Sequence, residues 1–72
     1  MQYSSKNSFG RRLEEARRDK NMMQSELAEL LNVKQATVSA WERGKNEPSM
    51  EMFKKIVKIL EVDLNFLFGL DE

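Results

Sequence analysis

The sequence predicts an all-α domain built from about five short helices. Apolar residues recur at the helical period in several stretches, and no stretch shows the clean alternation of a strand. Asn, Gly and a Pro-Ser pair stand between these stretches, at places where helices commonly begin and end. The chain has 72 residues, of which 40% are hydrophobic, and this is enough for one small domain with a single compact core.

The central stretch, residues 24–44, predicts two short helices joined by a tight bend, which is the layout of a helix-turn-helix. The small side chain of Ala28 suits the close approach of two helices, and Asn32 tolerates the positive φ that the bend requires. Gly44 is expected to end the second of these helices. Their expected bounds are near 24–31 and 35–43, and the residues expected to be buried are Leu27, Ala28, Leu30, Leu31, Val38 and Trp41.

One helix is predicted before this centre. Ser8 is its expected N-cap, and Asn21 is expected to close it. Its apolar positions are Phe9, Leu13 and Ala16, with Met22 or Met23 beyond its end. Residues 1–7 have no periodicity and are expected to form a flexible N-terminal arm.

Two helices are predicted after the centre. Pro48 and Ser49 are a strong start signal for the fourth helix. Its apolar residues follow the helical period: Met50, Phe53, Ile56, Val57 and Leu60. A short fifth helix, ending near Gly69, is expected to fold back on the core through Val62, Leu64, Leu67 and Leu70. The methionines are expected in the core. The helical domain is thus placed at residues 8–70, before an acidic end at 71–72.

Composition excludes several classes of function. The chain has no cysteine and no histidine, so disulfides, thiolate metal sites, the usual zinc ligands and the commonest general base are missing. No carboxylate pairs with a plausible base or nucleophile, and the three glycines form no phosphate-binding loop. We therefore expect no enzymatic activity and no cofactor. No apolar run approaches the length of a membrane span, and residues 1–7 are polar, which predicts a cytoplasmic protein without a membrane partner.

The net charge is zero, but the charges are unevenly distributed. The last twelve residues hold four acids and no base, so residues 1–60 carry 12 basic and 8 acidic side chains, a net charge of +4. The mildly basic charge of residues 1–60 is compatible with a surface that contacts phosphates, but it does not require such a surface.

The stretch from Arg17 to Leu67 resembles the Cro/cI-type (XRE-like) helix-turn-helix family of transcriptional regulators. The matching segments are QSELAELLNV, QATVSAWERGKNEPS and LEVDLNFL, preceded by Arg17, and they align without a gap. The resemblance implies a compact five-helix lambda-repressor-like domain. It also implies a homodimer that binds double-stranded DNA at a two-fold operator, in the cytoplasm and associated with the nucleoid.

The resemblance assigns the DNA-binding residues to the third helix and its surroundings. The family's base-reading positions fall on Gln35, Ala36 and Ala40, with Thr37 and Ser39 as weaker candidates. Gln24 matches a position that contacts phosphate and holds the first reading residue. Further phosphate contacts are expected from Lys34, Arg43, Lys45 and Asn46, and Asn46 also matches a position that reaches bases in some relatives. Met23 and Lys34 stand where relatives often have a capping Ser or Thr, so free amides there are available to phosphate.

Arg17 and Glu42 match a family pair that forms a buried salt bridge between the first and third helices; the alternative is two solvated surface charges. The other arginines near Arg17, together with Lys54, Lys55 and Lys58, are expected to face solvent rather than DNA. Trp41 is expected in the core and not as a stacking platform for a base. If Leu64 and Leu67 are buried, Phe66 and Phe68 remain partly exposed. Together with Ile59, these aromatic residues either form a patch for dimerisation or pack in the core.

The function predicted from these residues is sequence-specific binding of double-stranded DNA by a bacterial or phage transcriptional regulator. The regulator is expected to be a repressor that occludes a promoter. The alternative from another class is an antitoxin or other protein-interaction module with the same fold, whose partner would be a toxin or an effector protein. A separate toxin-binding segment would distinguish the two, and none stands out in the sequence.

Overall fold

The computed structural model describes residues 9–69, and these residues form five α-helices and no strand. In chain order the helices are α1 (Phe9–Asp19), α2 (Gln24–Leu31), α3 (Gln35–Glu42), α4 (Met50–Leu60) and α5 (Leu64–Phe68). The prediction of an all-α domain is therefore confirmed. Within residues 9–69, no helix has the length and apolar content that crossing a bilayer requires. The predicted arm, the Ser8 cap, Leu70 and the acidic end at 71–72 lie outside the described residues.

The helix ends follow the local chemistry that the sequence indicated. Asn32 has a φ of 62° at the C-terminus of α2, and Gly44 has a φ of 77° just beyond α3. Asn21, with a φ of 56°, follows the end of α1 by two residues. The Ser49 side chain caps α4 by accepting a hydrogen bond from the Met52 amide at 3.2 Å. Glu61, with a φ of 58°, ends α4 without a sequence signal, because Glu is not a residue that favours this conformation.

The core is formed by one face of each helix. Its buried apolar residues are Phe9, Leu13, Ala16, Leu27, Ala28, Leu31, Val38, Trp41, Phe53, Ile56, Leu60 and Leu67. Phe9 and Phe53 meet edge to face with ring centroids 4.9 Å apart, and Phe68 packs on Phe53 at 5.0 Å. These aromatic contacts join α1 and α5 to α4.

The expectation that Leu30 is buried is wrong, since its side chain is 59% exposed. On an ideal helix Leu27, Ala28 and Leu31 lie on one side of α2, and Leu30 lies about 60° beyond Leu27, away from the other two. Met50 is 60% exposed for the same reason, because it lies off the α4 face that Phe53 and Leu60 define.

Two further expectations about burial are corrected. The methionines are not all core residues: Met23 is 63% exposed, while Met22 and Met52 pack against the core only in part. Leu64 was expected to be buried with Leu67, but it is 37% exposed because it lies in the first turn of the very short α5. Leu67, by contrast, is fully buried.

Gly10 marks the closest approach of α1 to the end of α3. A Cβ atom at this position would lie 2.6 Å from the carbonyl oxygens of both Trp41 and Glu42. Such a distance is far inside van der Waals contact, and both obstructing atoms belong to the backbone. Only glycine therefore allows α1 and α3 to pack this closely.

We predict that Gly10→Ala lowers the free energy of unfolding by about 3 kcal/mol, because the added methyl group forces the two helices apart. Alanine favours a helix over glycine by about 1 kcal/mol, so any loss of stability must come from the clash. Gly44→Ala is the control: it meets no atom within 4 Å and should cost only about 1 kcal/mol through its positive φ. Urea unfolding of the two variants measures both values, and equal or smaller losses for Gly10→Ala would contradict the close approach.

Candidate nucleic-acid interface

The third helix, α3, has one buried face and one open edge. Val38 is 0% exposed and Trp41 is 5% exposed, so Trp41 is a core residue and not a stacking platform. The opposite side of the helix begins with Gln35 and Ala36, which are exposed. Thr37, Ser39 and Ala40 were predicted at the interface as well, and they are half-buried along the margin of this edge.

A buried ion pair fixes α3 against α1. The Arg17 Nε donates to Glu42 Oε2 at 2.7 Å, and the Arg17 Nη2 donates to Glu42 Oε1 at 3.0 Å. Both residues are at least nine-tenths buried. The third guanidinium nitrogen, Nη1, donates to the Met22 carbonyl at 2.7 Å. The structure thus places these charges in the interior and not on the solvated surface.

The electrostatics of this pair favour the charged form of Arg17. Hydrogen bonding to Glu42, followed by its Coulomb attraction, raises the pKa of Arg17 above its ordinary value, although burial opposes the shift. The arginine therefore stays protonated over the whole physiological range. Because the contact has two parallel hydrogen bonds, it also fixes the orientation of the Glu42 carboxylate.

Two glutamines extend this pair toward the surface. The Gln24 Nε2 donates to Glu42 Oε1 at 2.9 Å, and the Gln35 Nε2 lies 3.4 Å from the Gln24 Oε1 as a weak donor. A single polar chain therefore runs from Arg17 in the core to Gln35 at the exposed end of α3. The weak contact at its outer end favours one orientation of the Gln35 amide.

The N-termini of α2 and α3 have no cap from the residue that precedes them. Neither Met23 nor Lys34 forms a side-chain cap hydrogen bond. At α2 the Glu26 carboxylate accepts a hydrogen bond from the Met23 amide at 2.7 Å. The first turn of α3 carries no acidic residue, which leaves its positive end open to an anion.

The cationic and amide side chains expected to contact phosphate lie around α3. Lys34, Arg43, Lys45 and Asn46 are all exposed. Arg43 also makes a weak contact with the Ser39 carbonyl, 3.4 Å from its Nε. These residues flank the exposed edge that begins at Gln35 and ends beyond Glu42. We call this edge, together with its flanking side chains, the α3 rim.

Arg12 departs from the expectation that it faces solvent. Its guanidinium lies 5.3 Å from the centre of the Phe66 ring, and its Nη1 donates to the Phe66 carbonyl at 3.2 Å. The Arg12 side chain therefore connects α1 to α5. Arg18 follows the expectation, because it pairs on the surface with Glu14 at 2.7 Å.

Sequence reasoning missed two residues with structural roles. Gly10 lacks any turn signal, and its role depends on a contact with α3 that no local pattern reveals. Asp63 caps α5 by accepting from the Phe66 amide at 2.9 Å, and an Asp directly before an apolar run was a usable signal for it.

Comparison with known proteins places the chain among helix-turn-helix proteins, whose family profile matches residues 13–67. The chain is 39% identical over 64 residues to the HTH-type transcriptional activator BcrR of Enterococcus faecalis, covering 89% of this chain and 31% of that protein. It is 35% identical over 65 residues to the HTH-type transcriptional regulator ImmR of Bacillus subtilis, covering 90% of this chain and 51% of that protein. The chain therefore spans about a third and about a half of the length of these relatives.

A third relative and a crystal structure match over most of their length. An uncharacterised HTH-type transcriptional regulator of Archaeoglobus fulgidus is 34% identical over 61 residues, covering 85% of this chain and 86% of that protein. The restriction-modification controller protein C.AhdI from Aeromonas hydrophila superposes with a TM-score of 0.77 at 29% identity, covering 94% of this chain and 100% of its own. The predicted lambda-repressor-like fold is confirmed by this match.

We predict that Glu42→Ala lowers the free energy of unfolding by about 3–5 kcal/mol, because it leaves the Arg17 charge buried without a partner. Glu14→Ala is the matched control: it removes the exposed pair with Arg18 and should change stability by no more than about 0.5 kcal/mol. Urea unfolding monitored by Trp41 fluorescence measures both variants. If the free energy of unfolding of Glu42→Ala lay within about 0.5 kcal/mol of the wild-type value, the energetic role assigned to the pair would be contradicted.

Proposed function

This chain belongs to the Cro/cI-type helix-turn-helix family of DNA-binding transcription regulators, and we therefore propose that it lays α3 in the major groove of double-stranded DNA. The observation that carries the proposal is the α3 rim, an exposed edge whose reverse side is held in the core by Val38 and Trp41. An eight-residue helix is about 12 Å long, and the major groove is about 12 Å wide. The dimensions of α3 therefore suit the groove.

Gln35 is the principal base-reading residue in this proposal. Its side chain can form two hydrogen bonds with adenine, and a contact of this kind discriminates against the wrong base by about 1–3 kcal/mol. Ala36 and Ala40 offer methyl groups that can touch thymine but cannot donate or accept hydrogen bonds. Thr37 and Ser39 contribute less because they are half-buried. Specificity per protomer is therefore modest, and the shape of the DNA contributes the remainder.

The phosphate contacts set the position of the protein on the duplex. Lys34, Arg43 and Lys45 supply positive charge, and Asn46 supplies an amide. Gln24, held by Glu42, lies at the N-terminus of α2, where helix amides attract phosphate. Because phosphates carry no sequence information, these five residues determine affinity and salt dependence and not base choice.

We propose a homodimer on a two-fold operator. Half-sites of such operators lie one helical turn apart, about 34 Å centre to centre. The domain measures 33 × 23 × 22 Å, so two copies fit side by side on one face of the duplex without overlap. The apolar residues left open on α5, Leu64 and Phe68, are the proposed contact between the copies.

Repression by occlusion of a promoter is the proposed regulatory outcome, because a dimer bound over two turns of DNA covers the site that RNA polymerase needs. In transcription with purified RNA polymerase, addition of the protein is expected to reduce the transcript from a promoter that overlaps the operator. The relative from Enterococcus faecalis is named an activator. An increase in transcript would therefore identify this chain as an activator and contradict repression.

We predict that Gln35→Ala relaxes specificity at one base pair of each half-site, because it removes the bidentate contact. The operator is first obtained by selection from a random duplex pool, and affinities for it and for single-base variants are then measured. Wild-type discrimination at one position should fall by about 1–3 kcal/mol in the variant. Unchanged discrimination at every position would contradict the role of Gln35.

Lys45→Ala should instead weaken binding to all duplexes alike, because the lost contact is to phosphate. The slope of log affinity against log salt should fall in magnitude by about 1. Lys55→Ala is the matched control, since Lys55 is also an exposed lysine and lies on α4. Its slope should stay that of the wild type; equal effects of the two lysine variants would contradict the placement of the DNA.

We predict that Leu64→Lys weakens self-association at least tenfold, because it buries an unpaired charge in the proposed contact between copies. Leu30→Lys is the matched control, an exposed leucine of α2 that lies outside this contact. Sedimentation equilibrium at micromolar concentration and above measures both. A wild-type chain that stays strictly monomeric, or equal weakening by both variants, would contradict the α5 contact.

A further inference from the structure

The polar chain that joins Arg17 to Gln35 has a direction, because its members differ in whether they donate or accept hydrogen bonds. The Glu42 carboxylate, as the charged partner of Arg17, can only accept. The amide of a glutamine has one end that donates and one end that accepts, and the two ends have nearly the same shape. The hydrogen-bond partners of each glutamine therefore decide which end of its amide points which way.

The buried carboxylate sets the direction of the first amide. Glu42 Oε1 accepts a hydrogen bond from the Gln24 Nε2 at 2.9 Å, so the NH₂ group of Gln24 points toward the ion pair. The Gln24 Oε1 is thereby turned outward, to the side of Gln35. Gln24 is half-buried and Glu42 is buried, so water competes little for this contact. A reversed Gln24 amide would place two acceptor oxygens against each other.

The outward oxygen of Gln24 favours one direction of the second amide. The Gln35 Nε2 donates to it as a weak hydrogen bond at 3.4 Å. One N–H of Gln35 is used in this contact, and its second N–H and its Oε1 are left for a ligand. Gln35 thus offers one donor and one acceptor beyond the end of the polar chain.

A donor beside an acceptor suits adenine and not guanine. In the major groove adenine presents the N7 acceptor beside the N6 donor, whereas guanine presents two acceptors, N7 and O6. In the direction seen here, the Gln35 Oε1 can accept from adenine N6 but would oppose guanine O6. A reversed amide would offer only N–H groups and would suit guanine. The choice between the purines therefore depends on the direction of the polar chain.

We propose that the buried Glu42 determines base specificity, acting through Gln24 to hold the Gln35 amide in the direction that selects adenine over guanine. This inference rests on the proposed reading of adenine by Gln35. Glu42 is a positioning residue, since its carboxylate lies in the interior and touches no base. A change in this carboxylate alters base choice although every side chain that meets the duplex stays the same.

The test measures a ratio of two affinities: for the selected operator with adenine at the position that Gln35→Ala relaxes, and for the same duplex with guanine there. The wild-type ratio is expected at about 5 to 150, the range of one good bidentate contact. Glu42→Gln should lower it at least about threefold, because a neutral amide can turn either end toward Gln24. A loss of stability reduces both affinities by the same factor, so it leaves the ratio unchanged.

Leu13→Ala is the matched control for stability. Leu13 is fully buried and lies outside the polar chain, so this variant also loses stability but should keep the wild-type ratio.

A second variant, Gln24→Lys, changes the direction of the polar chain without removing the ion pair. An ammonium group only donates, both to Glu42 and to Gln35, so it should turn the Gln35 Oε1 inward and lower the ratio to about one or below. Ser25→Lys is the matched control, because it adds the same charge at the neighbouring exposed position, outside the polar chain. It should keep the wild-type ratio, since a charge near phosphate strengthens binding to both duplexes alike.

The outcomes separate this inference from the proposed function. If Gln35→Ala loses the preference for adenine while Glu42→Gln or Gln24→Lys keeps the wild-type ratio, the inference is overturned and the proposed function stands. Losses of the ratio in Leu13→Ala or Ser25→Lys as large as those in the two test variants would also overturn it. If no position of the operator responds to Gln35→Ala, the proposed reading of adenine fails, and the inference fails with it.

Discussion

The ion pair of Arg17 with Glu42 is the interaction on which the arrangement of this domain depends. Charges buried to this degree are stable only with close, well-oriented partners. Here each residue provides the opposite charge and the hydrogen-bonding atoms for the other. Gly10 makes the pair possible because it lets α1 approach the backbone of α3 directly. The orientation of α3, and with it the direction of the α3 rim, is thereby fixed from the interior.

The polar chain from Arg17 through Glu42 and Gln24 to Gln35 links the stability of the fold to its proposed function. A side chain that is already oriented loses less conformational entropy when it meets a base. This matters here because Gln35 is the residue in the first turn of α3 whose amide can form two hydrogen bonds with adenine. Net charge adds little long-range attraction, since the chain is neutral overall.

Much of the fold could be predicted from the sequence because its signals are local. Helix period, the positive-φ tolerance of Asn32 and Gly44, and the Ser49 cap each act within one or two turns. Burial of Leu30 and Leu64 could not be decided this way, because in helices of eight and five residues several apolar faces are possible and packing partners choose among them. The roles of Gly10 and Arg12 depend on contacts with residues distant in the chain, which a local sequence pattern does not reveal.

The burial pattern of α3 was predictable in the same way. The period of α3 indicated that Val38 and Trp41 face inward, and the α3 rim follows from that. The most direct test of this account is nuclear Overhauser contact between the labelled protein and its selected duplex. We expect contacts from the methyl groups of Ala36 and Ala40 to major-groove protons, including thymine methyls. Contacts confined to the minor groove, or arising from α4 and α5 with none from α3, would contradict it.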